Sequence, residues 1–265
     1  MKKILFEKYQ GAGNDFILVD ARTERPGLTR DAIRQLCDRR FGIGADGLMT
    51  LERDPAGSDF YMRYYNADGG ESTMCGNGGR CIARFADRLG IGGRIKRFRS
   101  SDGEHEAELL ASGQIRLRMI DVAEVRLLEE GQSWFVFTGS PHYVTLVEDT
   151  AAVDVGRCGA EIRRRAEFEA MGGTNVDFVQ VLGPGRIRVR TFERGVEAET
   201  LACGTGVTAA AIVVHAVRQP ACCDFEIEAM GGKLRVEFAK RPEGGFTNIF
   251  LTGGAEPVFE GRVEV

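Results

Sequence analysis

Lysine is scarce in this 265-residue chain: Lys2, Lys3, Lys8, Lys96, Lys233 and Lys240 are all it has. None stands in a setting that would hold pyridoxal phosphate, so an imine mechanism is not expected. Basic residues show no excess. Thirty-five Lys and Arg against 39 Asp and Glu leave −4 at pH 7, so nucleic acid is not an expected partner. No long apolar run exists either. The longest, 207–217, is interrupted by Thr208 and His215 and is too short to cross a bilayer, so no membrane partner is expected. After Lys2 and Lys3 only Ile4, Leu5 and Phe6 precede Glu7 and Lys8, too little for a secretory core, and a cytoplasmic location is expected. The three histidines form no zinc-like spacing with cysteine, so no metal site is expected. Seven cysteines, an odd number, read as reduced thiols rather than a disulfide framework.

With 43% hydrophobic and 28% charged residues, the composition is that of an ordinary globular protein, which sets aside disorder, collagen and coiled coil. Its length suits one large or two smaller domains. Many of the 35 glycines fall in clusters, at 11–13, 42–47, 69–79, 172–173 and 204–206, as at tight turns or where backbone meets a ligand.

Two pairs of these clusters echo each other. Gly11-Ala-Gly-Asn14-Asp-Phe16 resembles Gly173-Thr-Asn175-Val-Asp-Phe178, and Cys75-Gly-Asn-Gly78 resembles Cys203-Gly-Thr-Gly206. The separations are 161 (14 to 175) and 128 (75 to 203), which suggests a duplication with an insertion of about 33 residues in the first half. The helical stretch from Thr29 to Asp38 would fit part of that insertion. Alternating apolar and polar residues predict strands over 115–120, 187–192 and 234–238, and a hairpin over 225–236 turning at Gly231-Gly232. Each Cys-Gly-x-Gly opens a helix. The first runs to Leu89, with Gly90 as its stop; the second, 207–217, is apolar nearly all round and is expected to be central and buried. The expected architecture is α+β: two pseudo-symmetric halves, each a curved, mostly antiparallel, barrel-like sheet around a central helix, with an active site in the cleft between them. The halves are expected at 1–120, completed by a strand near 253–265, and at 121–252.

A helix N-terminus exposes unpaired N–H groups and a partial positive charge, so a carboxylate or phosphate is the expected guest. The same field is expected to lower the pKa of Cys75 and Cys203. If the halves face each other, the N–H groups of Gly76, Asn77, Gly204 and Thr205 could cradle one carboxylate with a thiol on either side of the neighbouring carbon. That geometry suits inversion of an amino-acid α-carbon by one thiolate and one thiol.

These residues belong to a larger set. Lys8-Tyr-Gln-Gly-Ala-Gly-Asn14-Asp-Phe16, Gly42-Ile-Gly-Ala-Asp-Gly47, Tyr65-Asn66-Ala-Asp-Gly69 and Met74-Cys75-Gly-Asn-Gly78 resemble diaminopimelate epimerase. So do Gly139-Ser-Pro-His142, Gly173-Thr-Asn175-Val, Glu193-Arg194-Gly195 and Glu199-Thr-Leu-Ala-Cys203-Gly-Thr-Gly206. The resemblance implies a cofactor-free isomerase that interconverts LL- and meso-2,6-diaminopimelate for lysine and cell-wall synthesis. By position it implies Cys75 and Cys203 as the catalytic thiols, with His142 and Glu193 tuning them. Gly76, Asn77, Gly204 and Thr205 match the α-carboxylate cradle, and Asn14, Asn66, Asn175, Glu193 and Arg194 the remaining substrate set. Two positions depart from the usual pattern: Ser140 replaces an asparagine found in many members, and Gly47 a glutamine found in some. A homodimer is the assembly to test for.

Other residues read more plainly. His105 and His215 are expected to be structural or at the surface, Cys81 to pack, Cys222-Cys223 to lie mid-strand, and Arg163-Arg-Arg165 to form a solvated helix face. Two rival functions remain open at this point: a proline- or hydroxyproline-type racemase of the same fold, and a dithiol redox or ligand-binding protein without turnover.

Overall fold

The structure, a computed structural model, describes residues 3–128 and 132–265; Lys2 of the N-terminal reading lies outside them. The chain divides into two compact units, one comprising 1–117 with 253–265 and the other 118–252. The fold is α+β.

Unit one contains β1 (Lys3–Gly11), β2 (Asn14–Asp20), α1 (Arg30–Cys37), β3 (Gly47–Glu52), β4 (Phe60–Asn66), β5 (Glu71–Ser72), α2 (Gly76–Arg88), β6 (Ile95–Ser100), β7 (Gly103–Leu109) and β8 (Ile115–Arg118). The final strand of the chain, β18 (Glu256–Glu264), adds to β1 in antiparallel register. From β1 onward the successive pairings are β1–β2 antiparallel, β2–β3 parallel, β3–β4 antiparallel, β4–β6 parallel, then β6–β7 and β7–β8 antiparallel. Helix α2 packs on β1, β2, β3 and β7, burying Cys81, Ile82, Ala83, Phe85 and Ala86. Gly90, at φ +69°, ends it as the sequence predicts.

Unit two runs β9 (Arg126–Leu127), β10 (Ser133–Phe137), β11 (Pro141–Leu146), α3 (Val155–Arg163), β12 (Asn175–Gly183), β13 (Arg186–Glu193), β14 (Ala198–Thr200), α4 (Gly204–Val217), β15 (Asp224–Ala229), β16 (Gly232–Lys240) and β17 (Phe246–Gly253). Its pairings repeat the same series: β10–β11 antiparallel, β11–β12 parallel, β12–β13 antiparallel, β13–β15 parallel, β15–β16 and β16–β17 antiparallel. β9 flanks β10 as β18 flanks β1. Helix α4 packs on β10 to β13 and β16 and is buried along nearly its whole length, as its all-round apolar surface requires.

The repeat is therefore present, but in a different register from the one the glycine-rich motifs suggest. In unit one Phe16 of β2 lies opposite Gly47 of β3; in unit two His142 of β11 lies opposite Asn175 of β12. Asn14 thus corresponds to Ser140 and Gly47 to Asn175, at separations of 126 (14 to 140) and 128 (47 to 175), close to the 128 (75 to 203) between the cysteines. No insertion is needed. The stretch from Thr29 to Asp38 holds α1, the crossover between parallel strands, and α3 is its counterpart. The motifs around Asn14 and Asn175 look alike because each opens a strand with a buried centre, not because they occupy equivalent strands.

Candidate functional site

Cys75 is the N-cap of α2, in an extended conformation, and its Sγ accepts a hydrogen bond from Gly78 N–H at 3.1 Å. This is the cap geometry that serine or aspartate usually supplies. Gly78 has no room for a side chain: a Cβ would lie 2.6 Å from Met49 Cε and 3.0 Å from the sulfur. Behind the cap, Asn77 Nδ2 donates to Asn14 Oδ1, and Asn14 Nδ2 donates to Asp46 Oδ2 at 3.0 Å. Arg39 bridges Asp46 and Asp15, and Lys8 pairs with Asp15 at 2.8 Å. Although partial burial alone would raise it, Asp15 is held down at about 2 by the Arg39 and Lys8 hydrogen bonds. Asn66 ends β4 with its side chain exposed. At Gly47 a Cβ would lie 2.5 Å from both the Tyr64 ring and Tyr65 O, so glycine is required by packing there and offers no side-chain contact.

In unit two Cys203 is the N-cap of α4 and is buried. Its Sγ lies 3.4 Å from Thr205 Oγ1, which lies 2.9 Å from His142 Nε2. His142 Nδ1 lies 2.7 Å from Asp177 Oδ2, with both side chains fully buried. A carboxylate can only accept, so Nδ1 carries the proton and donates to it. In the neutral ring Nε2 is then the acceptor, which suits its second neighbour, the donor-only Nδ2 of Asn175 at 3.4 Å. Thr191 Oγ1 donates to the other Asp177 oxygen at 2.7 Å. The result is a continuous chain of polar atoms from the Cys203 sulfur through Thr205 and His142 to Asp177. Gly206 completes the packing, since a Cβ there would stand 2.3 Å from Asp177 Oδ1.

Asn175 gathers the adjacent side of the site. Its Nδ2 donates to Ser140 Oγ at 2.8 Å and to Pro141 O at 3.1 Å, and its Oδ1 accepts from Arg194 N–H at 2.8 Å. The Arg194 guanidinium reaches Met171 O at 2.8 Å and Ser140 Oγ at 3.5 Å. Ser140 thus keeps a polar link to both residues although it is not the usual asparagine. Glu193 accepts from Thr200 Oγ1 at 2.9 Å.

The expectation of an acidified Cys203 is corrected. Burial, and then the carboxylates of Glu193 and Asp177, push its thiol well above the usual range; the Thr205 and Gly206 hydrogen bonds oppose this without overcoming it. A helix end contributes about 0.3–1 kcal/mol at an exposed site, less than full desolvation of a thiolate costs. One smaller reading changes and another holds in part. Cys222 and Cys223 precede β15 rather than lying mid-strand. Arg164 is exposed, as expected of a solvated face, whereas Arg163 is only partly so: it pairs with Glu197 at 2.6 Å and donates to Gly172 O at 3.2 Å. His215 is structural, with Nδ1 2.7 Å from Cys222 O.

Unit one brings together Asn14, Cys75, Gly76 and Asn77. Unit two brings together His142, Asn175, Glu193, Arg194, Cys203, Gly204 and Thr205. Sequence reasoning missed Asp177 and Arg80. Asp177 was findable, because it lies two residues from Asn175 and shares its strand face. Among the described residues no cluster of His, Cys, Asp and Glu is arranged to hold a metal, and no helix is long and apolar enough to cross a membrane.

Two α+β units on one strand plan, each with a cysteine capping its central helix, define a fold also seen in solved structures of low sequence identity. A phenazine biosynthesis protein of the PhzF family from Bacillus anthracis superposes with TM-score 0.76 at 16% identity, each chain covered in full. A probable proline racemase from Agrobacterium radiobacter gives 0.72 at 15% identity, over 99% of this chain and 93% of that one. A family model described as diaminopimelate epimerase matches residues 6–125 and 134–256. The diaminopimelate epimerase of Flavobacterium psychrophilum is 46% identical over 96% of this chain and 97% of its own. That of Chlorobaculum tepidum is 40% identical over 96% and 98%. The chain belongs to the diaminopimelate epimerase family and is an isomerase.

Proposed function

We propose that this protein interconverts LL- and meso-2,6-diaminopimelate without a cofactor, by two-base proton transfer between Cys75 and Cys203, in cytoplasmic synthesis of lysine and peptidoglycan precursors. The observation that carries the reading is the repeat itself: a cysteine caps a glycine-tipped central helix in each unit, 128 residues apart (75 to 203). Two helix tips directed at one substrate would hold its α-carboxylate on the N–H groups of Gly76, Asn77, Gly204 and Thr205. One thiolate takes the α-proton from one face while the opposite thiol delivers its proton to the other, so the carbon inverts and the thiols exchange protonation states.

The unit-two geometry favours a starting state. With its thiol raised by burial and two carboxylates, Cys203 enters protonated and acts as the acid, leaving Cys75 as the base. After transfer the Cys203 thiolate takes up a proton from solvent as the Cys75 thiol releases one, which resets the pair; for the reverse reaction Cys203 must first give its proton up. The Thr205 hydroxyl and His142 Nε2 supply the route: the thiol proton passes to Thr205 Oγ1, whose own proton passes to Nε2. Asp177 stabilises the imidazolium that results. The distal amino-acid group of the substrate meets Arg194, whose fork suits a carboxylate, and the amides of Asn14, Asn66 and Asn175.

Incubation with LL-diaminopimelate and, separately, with L-proline in deuterated water tests the proposal by mass spectrometry. Deuterium enters the α-carbon of diaminopimelate. Incorporation into proline alone would replace the reading with a proline-type racemase, and incorporation into neither would favour a non-catalytic dithiol protein.

A further inference from the structure

Arg80 has no part in the chemistry described so far, yet it is the largest fully buried side chain among the described residues, with no solvent exposure. It is on α2, one turn beyond Gly76. Its Nη1 donates to Gly76 O at 3.1 Å, Nη2 to Asn77 Oδ1 at 2.9 Å, and Nε to Gly254 O at 3.3 Å. All three acceptors are neutral, and no carboxylate among the described residues pairs with it. A desolvated cation ordinarily has an anionic partner. The location makes this need sharper, because the guanidinium stands near the positive end of its own helix.

Among the described residues, the ionisable groups that act on Arg80 are Cys81 and Cys75. Burial pushes the Cys81 thiol up to about 12, so it stays neutral. On β1, Tyr9 lies close enough to act on Cys81; burial and Glu7 push the Tyr9 hydroxyl well up, so it also stays neutral. Gly11 of β1 closes the cover: a Cβ there would lie 3.1 Å from Cys81 Sγ and 3.6 Å from Arg80 Nη2.

We propose that Arg80 is the buried counter-charge for the Cys75 thiolate, a positioning residue that also fixes the Asn77 amide at the helix tip. The inference rests on the thiol chemistry proposed above and adds the residue that lets Cys75 start as the base. Unit two has no such cation at the equivalent place. Thr208 stands there, one turn beyond Gly204, and its hydroxyl donates to Gly204 O at 2.8 Å.

Peptide-resolved iodoacetamide labelling of the substrate-free protein across pH tests this. In wild type Cys75 labels with a midpoint below that of free cysteine, about 8.5. In Arg80→Met the midpoint rises by about one pH unit, and labelling near neutrality slows about tenfold. Arg80→Gln, which keeps a donor for Gly76 O, behaves the same way, whereas Arg80→Lys stays near wild type. The Cys203 profile does not move. A helix tip merely loosened by substitution would label faster at every pH with its midpoint unchanged, and that result in either neutral variant overturns the proposal. So does a wild-type midpoint at or above that of free cysteine, a measurement that needs no variant. Because labelling is read without substrate, its failure leaves the deuterium-exchange result standing, and failure of that exchange leaves the labelling result standing.

Discussion

The two helix tips share a backbone plan and differ in charge. Facing the tip glycine from the neighbouring strand is Met49 in unit one and Asp177 in unit two, 128 residues apart (49 to 177). One turn into the helix stands Arg80 in the first and Thr208 in the second. Cys75 therefore lies near a buried cation, and Cys203 near two carboxylates. A duplicated fold can place two chemically identical thiols symmetrically, while inversion of a carbon needs them in opposite protonation states. On the proposed mechanism, the substitutions around the repeat provide that difference while leaving the strand order intact.

The comparison breaks most completely if either sulfur is removed. Cys75→Ala and Cys203→Ala are each expected to lower epimerisation by at least about 10³-fold, since neither the acid nor the base can be spared. The check is polarimetric or chromatographic assay of the two isomers. A variant retaining more than a tenth of wild-type rate would show that its thiol is dispensable.

The next largest effect comes from Asp177→Asn. An amide can donate to Nδ1 and so allow the other tautomer, which removes Nε2 as an acceptor for Thr205. The expected outcome is a fall in kcat of about 10²–10³-fold with little change in KM. Nitrogen-15 NMR would show the His142 proton moving from Nδ1 towards Nε2. An unchanged tautomer with unchanged kcat would remove Asp177 and His142 from the proton route.

Arg194→Ala sharpens the comparison differently, since it leaves both thiols in place. Diaminopimelate binding is expected to weaken about 10- to 100-fold, as befits loss of a charge-assisted contact, with the labelling pH profiles of both cysteines unchanged. Calorimetric titration would read it. A wild-type binding constant would place the distal carboxylate elsewhere.

The smallest effect is electrostatic. The folded Cys203 pKa lies above its unfolded value, so the neutral thiol contributes stability that is fully present below the unfolded pKa, about 8.5, and is lost as pH rises through the folded value. Glu193→Gln removes one of the raising charges and is expected to speed Cys203 labelling a few-fold at pH 8. Slower labelling in that variant would contradict the assigned cause.

Much of this was legible beforehand, for particular physical reasons. Cys-Gly-x-Gly before an apolar run announces a capped helix, and both helices begin there. All-round apolarity marked α4 as central. The strand alternation around 187–192 and 234–238 matched half-buried strands. The register of the repeat was not legible, because likeness between motifs reports shared local demands rather than equivalent strands; only the parallel pairings β2–β3 and β11–β12 settle it. The state of Cys203 was not legible either. A helix terminus can be read from sequence, but full burial and the approach of Glu193 and Asp177 depend on strands distant in the chain. Arg80 was hidden by its type, since arginine on a helix is ordinarily solvated.

The most direct test of two thiols acting on one carbon is the early time course of LL-diaminopimelate turnover in deuterated water. Two opposed acid–base groups predict that each molecule of meso product carries one deuterium at the inverted carbon while the unreacted LL pool remains unlabelled. Deuterium accumulating in the LL pool ahead of product, or product retaining the original hydrogen, would mean that a single group serves both faces and would contradict the account.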